Sequence, residues 1–74
     1  MLNINQKRSD KMIHIEHEIS LLTKLDIAII TDHLANGHII KAVQYIKDTR
    51  STPLQESVAI KDTIRAALQT VHIL

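Results

Sequence analysis

Five histidines are spread through a 74-residue chain that contains no cysteine. His14, His17 and Glu18 stand at i, i+3 and i+4, a spacing that puts two imidazoles and a carboxylate on one helical face. Such a set suits zinc. No cysteine reinforces it, no second cluster has matching spacing, and the same three residues serve equally well as solvated groups between isoleucines. No metal or cofactor is therefore expected. His33 and His38 flank Asn36-Gly37, and His33 falls near a helix C-terminus, where partial positive charge is favourable.

Other chemistries find less support. Ser9, Ser20, Ser51 and Ser57 occupy neither a nucleophile elbow nor a Ser-x-x-Lys motif. Asp26, Asp32, Asp48 and Asp62 are dispersed, whereas acid–base catalysis needs groups converging in a pocket. Gly37 is the only glycine, so no phosphate-cradling loop exists. The chain is expected not to be an enzyme.

Charge argues in the same direction. The net charge is +1; residues 1–23 sum to 0, residues 24–50 to +1 and residues 51–74 to 0. No block is polybasic, so tight binding to nucleic acid is not expected. The alternative is a small dimeric DNA-binding regulator. It would be a helix-turn-helix read by residues 53–71, or a ribbon-helix-helix with Ile13–Ile19 as its ribbon. Its phosphate contacts would come from Lys41, Lys47, Arg50, Lys61 and Arg65. Against it, the reader opens on Gln55-Glu56-Ser57, and the ribbon would present Glu16 and Glu18 to phosphate.

An 8.4 kDa chain has room for one domain. Hydrophobic residues at 45% and charged residues at 23% are an ordinary globular mix. Tyr45 is the only aromatic, and thirteen isoleucines take the place of larger side chains. Aliphatic side chains bury less area each, and a domain this small gains little net stability. A homodimer joined through Ile- and Leu-rich helix faces is expected. The longest apolar run, Ile27-Ala28-Ile29-Ile30, is far from a membrane span, and the N-terminus shows no signal-peptide core. A cytoplasmic location is expected.

The elements follow from stops and stripes. Residues 1–11 are polar and aperiodic and read as a flexible leader, with 12–74 as a single helical domain. Residues 12–22 fit a short strand through Ile13, Ile15 and Ile19, or a helix through Met12, Ile15, Ile19 and Leu22, with the helix preferred. Thr23 and Asp26 open a helix over about 24–36, with Leu25, Ala28, Ile29 and Asp32 on one side and Ile30, His33 and Leu34 beside them. Asn36-Gly37 ends it. A second helix over about 38–50 carries the stripe Ile39, Ala42, Val43 and Ile46, widened by Ile40. Ser51-Thr52-Pro53 breaks the chain, and Thr52-Pro53-Leu54-Gln55 reads as a capping box opening a third helix over about 53–71. Its apolar stripe is Leu54, Ser57, Ile60, Ile64, Ala67, Leu68 and Val71, with Lys61 outward. The fold class is all-α: three helices behind an N-terminal helical or strand-like segment.

The stretch Gly37-His38-Ile39-Ile40-Lys41-Ala42-Val43-Gln44, followed by Pro53-Leu54-Gln55-Glu56-Ser57, resembles the helix–turn–helix of the C-terminal domain of the ribosomal large-subunit stalk protein. The family pattern is Gly-Lys-Lys-Ile-Glu-Ala-Ile-Lys, and Gly-Leu-Gly-Leu-Lys-Glu-Ala-Lys opens its next helix. Gly37, Ile40, Ala42, Leu54 and Glu56 match by identity, Val43 and Ser57 by type, over about residues 37–58. Ile39 stands where the family has a charged residue, Lys41 where it commonly has an acid, and Ser51-Thr52-Pro53 replaces its glycine-rich turn. The family's helical pair docks translation factors. The resemblance thus implies a protein-docking role for the same two helices, with a different partner.

The expected function is a small protein–protein interaction module, acting as adaptor or inhibitor. Surplus apolar residues such as Leu21, Ile27, Ile40, Ile73 and Leu74 need a partner to cover them. The Ile-rich, Gly-poor composition is compatible with a phage or mobile-element accessory protein that binds a host factor. The docking residues are expected at the corner of the second and third helices: His38, Lys41, Tyr45, Gln55 and Glu56. Tyr45 falls off the buried stripe of its helix, and tyrosine often anchors interfaces.

Overall fold

Thr23 opens the best-defined helix of the chain. Its hydroxyl accepts the Asp26 backbone N–H at 3.0 Å, and its own N–H donates to the Asp26 carboxylate at 2.9 Å. This reciprocal box satisfies two backbone donors that the first turn leaves free. The computed structural model describes residues 12–74, and the leader expected at 1–11 lies outside them. The described chain is all-helical: α1 at 12–20, α2 Lys24–Ala35, α3 Ile39–Arg50 and α4 Leu54–Thr70.

Gly37 sets the angle between α2 and α3. It lies at φ 76°, in the left-handed region, and a Cβ there would meet nothing within 4 Å. Its N–H reaches the Leu34 carbonyl at 3.1 Å and the His38 N–H reaches the His33 carbonyl at 2.8 Å. This is the Schellman arrangement, and it leaves no slack between the helices. The end of α4 repeats it without glycine: His72 takes φ 61°, and the Ile73 N–H bonds the Leu68 carbonyl at 2.9 Å.

The core is aliphatic. Ile15 and Leu22, Ile30 and Leu34, Ala42 and Ile46, and Ile60 and Ile64 form one buried cluster, and α3 packs against both α2 and α4. Ile19, Ile27, Ile39, Tyr45 and Leu68 pack on its edge. No helix among the described residues is long and apolar enough to cross a membrane.

Several expectations are corrected. Residues 12–20 are helical, so the ribbon reading of Ile13–Ile19 has no strand to stand on. Burial follows the helical spacing, with Ile15 and Leu22 inside and Ile13 outside. In α2 the inward face is Ile27, Ile30 and Leu34, while Leu25 is exposed. Three large aliphatic side chains outweigh a side that contains Ala28 and the carboxylate of Asp32.

The capping box at Thr52 does not form. Pro53, at φ −62° and ψ 161°, is itself the cap residue, and α4 begins at Leu54. Thr52 is buried, and its hydroxyl lies 2.6 Å from that of Ser57, which also donates to the Pro53 carbonyl at 2.9 Å. A buried hydroxyl needs a partner, and Ser57 has no exposed surface. The buried residues of α4 are Ser57, Ile60, Lys61 and Ile64, and Lys61 lies only about 20° round the helix from Leu54, so what separates the two is their place along it: Leu54 is its first residue and Val71 lies past its last. Leu54 and Val71, expected inside, are exposed, and Lys61, expected outside, is buried.

Two substitutions test this packing. Ile60→Ala removes a fully buried side chain and should cost about 2–5 kcal/mol, comparable with the whole stability of a domain this small. Its circular dichroism melt should show a collapsed or absent transition. Gly37→Ala should cost only about 1–2 kcal/mol, because the strain is conformational and not steric. A melt that ranks the two in the opposite order would refute the packing described.

Candidate functional site

The stripe of α3 faces the core, and its flank faces away. Ile40 and Gln44 lie on that flank, and Leu54 and Val58 lie on the adjoining flank of α4. Between them runs an open apolar groove of about 330 Å³, lined by Ile39, Ile40, Val43 and Gln44 from α3 and Leu54, Val58 and Lys61 from α4. Ile40 is 76% exposed and Leu54 is 60% exposed. Lys61 is the only charged side chain in the lining. It is 8% exposed, with its stem among apolar groups and its ammonium donating to the exposed Asp62 carboxylate.

The five residues expected to dock a partner fall in three places. His38 and Lys41 are exposed at the start of α3 and share a hollow with Gly37, Ile39 and Ile40. His38 is the cap residue of α3, with no side-chain bond to the helix end. Gln55 and Glu56 border a second cleft with His14, Ile15 and Ala59, on the α1 side of α4, where Glu56 pairs with His14. Tyr45 is half-buried and turned toward α2, its hydroxyl donating to Asp26 Oδ1 at 2.5 Å. His38 and Lys41 thus adjoin the groove, while Tyr45 lies away from it.

Ile40, Leu54, Val58 and Lys61 were not among the expected site residues. Ile40 carried a signal as a surplus apolar residue, and so did Val58, an aliphatic residue outside the stripe of its own helix. Leu54 and Lys61 share one side of α4, and which of them is buried depends on their place along the helix, which the hydrophobic pattern does not record.

Polar groups nominated for other chemistry serve elsewhere. Glu18 accepts from Arg50 Nε at 2.9 Å, joining α1 to α3, and His14 joins α1 to α4 through Glu56. Among the described residues, no three His, Cys, Asp or Glu side chains are grouped to hold a metal ion. Of the five cations considered for phosphate, Arg50 is half-buried against Glu18 and Lys61 is buried, leaving Lys41, Lys47 and Arg65 exposed.

Comparison with known protein families, with curated proteins and with solved structures finds no match to this chain.

The Tyr45–Asp26 bond predicts a pH response. The Tyr45 hydroxyl, then the Thr23 backbone N–H, hold the Asp26 carboxyl below its ordinary value of 3.8. The same bond, with burial and the carboxylate charge, raises the Tyr45 phenol above 10.0. A depressed acid stabilises the fold above its unfolded pKa, and that contribution is lost as pH falls through 3.8 and below. A raised phenol stabilises below its unfolded pKa, and its contribution is lost as pH rises above 10.0. Tyr45→Phe keeps the ring and removes the bond. Its melting temperature should fall at neutral pH and converge on that of the wild type toward strong acid. Parallel curves across the acid range would refute the assignment.

Proposed function

We propose that this chain is a small non-enzymatic protein-interaction module that docks on a larger protein through the corner of α3 and α4. It acts there as an adaptor or an inhibitor. The observation that carries this reading is the pair Ile40 and Leu54, two large aliphatic side chains left exposed in the lining of one apolar groove. Apolar surface concentrated in a concavity marks an interaction site more than the same residues scattered singly. His38 and Lys41, beside Ile40, supply a polar rim of the kind interfaces carry. The resemblance to the stalk-protein helical pair supports the same two helices. Self-association into a homodimer belongs to this reading, because a second copy can cover further exposed residues such as Leu25, Val71 and Ile73.

Nucleic acid is the weaker reading. Of the five cations considered for phosphate, Arg50 and Lys61 have carboxylate partners in the fold, which leaves two lysines and an arginine, and the net charge of the chain is only +1.

Ile40→Glu and Leu54→Glu test the proposal in the full-length chain. Both side chains are exposed, so stability should change by no more than about 0.5 kcal/mol. Capture of the partner from the native cell should fall by about tenfold or more, the loss of roughly 1.4 kcal/mol or more. Tyr45→Ala is the control on the α2 side. If it abolishes capture without unfolding the chain while both glutamate variants bind normally, the docking face lies away from the groove.

A further inference from the structure

Lys61 is an unusual residue to find in an apolar groove. Its side chain is buried beside Leu54 and Val58, and its ammonium bonds to the carboxylate of the next residue, Asp62, which is itself exposed. A partner that fills the groove strips the remaining water from this ammonium. A cation so buried is costly unless a carboxylate meets it with good geometry.

Two further cations stand close to the groove. At about 100° per residue, Lys47 falls on the flank of α3 between Val43 and Ile40, and Arg65 falls on the flank of α4 between Lys61 and Val58. Both are exposed. By the same spacing Asp48 lies about 40° beyond Gln44 and Asp62 about 40° beyond Val58, and Asp62 is the acid that holds the Lys61 ammonium. The groove is thus apolar along its floor, with the three cations Lys47, Lys61 and Arg65 against these two acids around it.

Resting on the docking reading above, we infer that the occupant is an amphipathic helix whose apolar edge carries a carboxylate. Its aliphatic side chains, repeating at i, i+3 or i+4, and i+7, lie between Ile40 and Leu54, and the carboxylate pairs with Lys61. A helix suits this surface better than a strand, because the described residues offer no sheet edge for main-chain pairing. It also suits it better than a nucleic acid backbone, whose phosphates would meet the cations but leave the apolar floor wet.

The test uses the full-length chain and three synthetic amphipathic helical peptides, identical except for Glu, Gln or Lys at one position on the apolar edge. Binding is read by fluorescence anisotropy. The Glu peptide should bind about tenfold or more tighter than the Gln peptide, as a charge-assisted hydrogen bond predicts, and the Lys peptide should not bind. Lys61→Met keeps the apolar stem and should remove the preference. Asp62→Asn, at an exposed position, leaves the fold intact, frees Lys61 and should strengthen the Glu peptide further, so the inference does not depend on Lys61→Met folding. Ile40→Glu should abolish binding of every peptide.

Glu and Gln peptides that bind equally, and are both lost in Ile40→Glu, overturn the carboxylate and leave groove docking standing. Peptides that ignore the groove, with Ile40→Glu matching the wild type, overturn both. A DNA duplex that displaces the Glu peptide assigns the surface to phosphate. A dimer in sedimentation equilibrium that Ile40→Glu dissolves assigns it to a second copy. Either result overturns the inference.

Discussion

Most of these helices are at or below the length that persists alone in water. α2 and α3 have 12 residues each and α4 has 17, and isolated helices shorter than about 12–15 residues are marginal even in favourable sequences. Their stability must come from the shared aliphatic cluster, whose deepest members, Ile30, Ile46 and Ile60, are contributed one by each helix. α3 sits between α2 and α4, so its single stripe has to serve two neighbours. Everything else in the molecule adjusts to that stripe. The corner at Gly37 brings α2 to it from one end, and the break at Ser51-Thr52-Pro53 brings α4 to it from the other.

Polar side chains fasten the edges of this arrangement. Tyr45 reaches Asp26, which also completes the cap of α2, so one carboxylate fixes both the start of a helix and its contact with the next. Glu18 and Arg50 hold α1 against α3, and His14 and Glu56 hold it against α4. Ion pairs with this much solvent access contribute little energy each. Their effect is on position: they hold a short α1 whose buried contacts are mainly Ile15, Ile19 and Leu22.

Much of the architecture was legible because its stops are local. Gly37 needs a left-handed backbone, Thr23 and Asp26 form a box within one turn, and the α3 stripe repeats at helical spacing; each sits where sequence reasoning puts it. What sequence reasoning missed is non-local or depends on small rotations. Thr52 has the residue type of a cap, yet its hydroxyl is drawn inward by Ser57, five positions on. Leu54 and Lys61, seven positions apart, lie on one side of α4, and a periodic pattern does not record which of them the neighbouring helices cover. The surroundings of Tyr45 were also legible only in part. Tyr45 was placed correctly at the edge of the core, but which neighbour its hydroxyl would meet depends on α2, a helix distant in sequence.

The groove follows from where along α4 the core is closed. With Ser57 turned in, the core between α3 and α4 is closed by a hydroxyl pair and by the stem of Lys61, not by Leu54. Leu54 joins Ile40 on the open side, and Lys61 carries a charge into an apolar wall. A long cationic side chain tolerates this because its methylenes bury well while the ammonium stays near water. Asp62, at an exposed position, supplies the counter-charge of Lys61 at the edge of the groove.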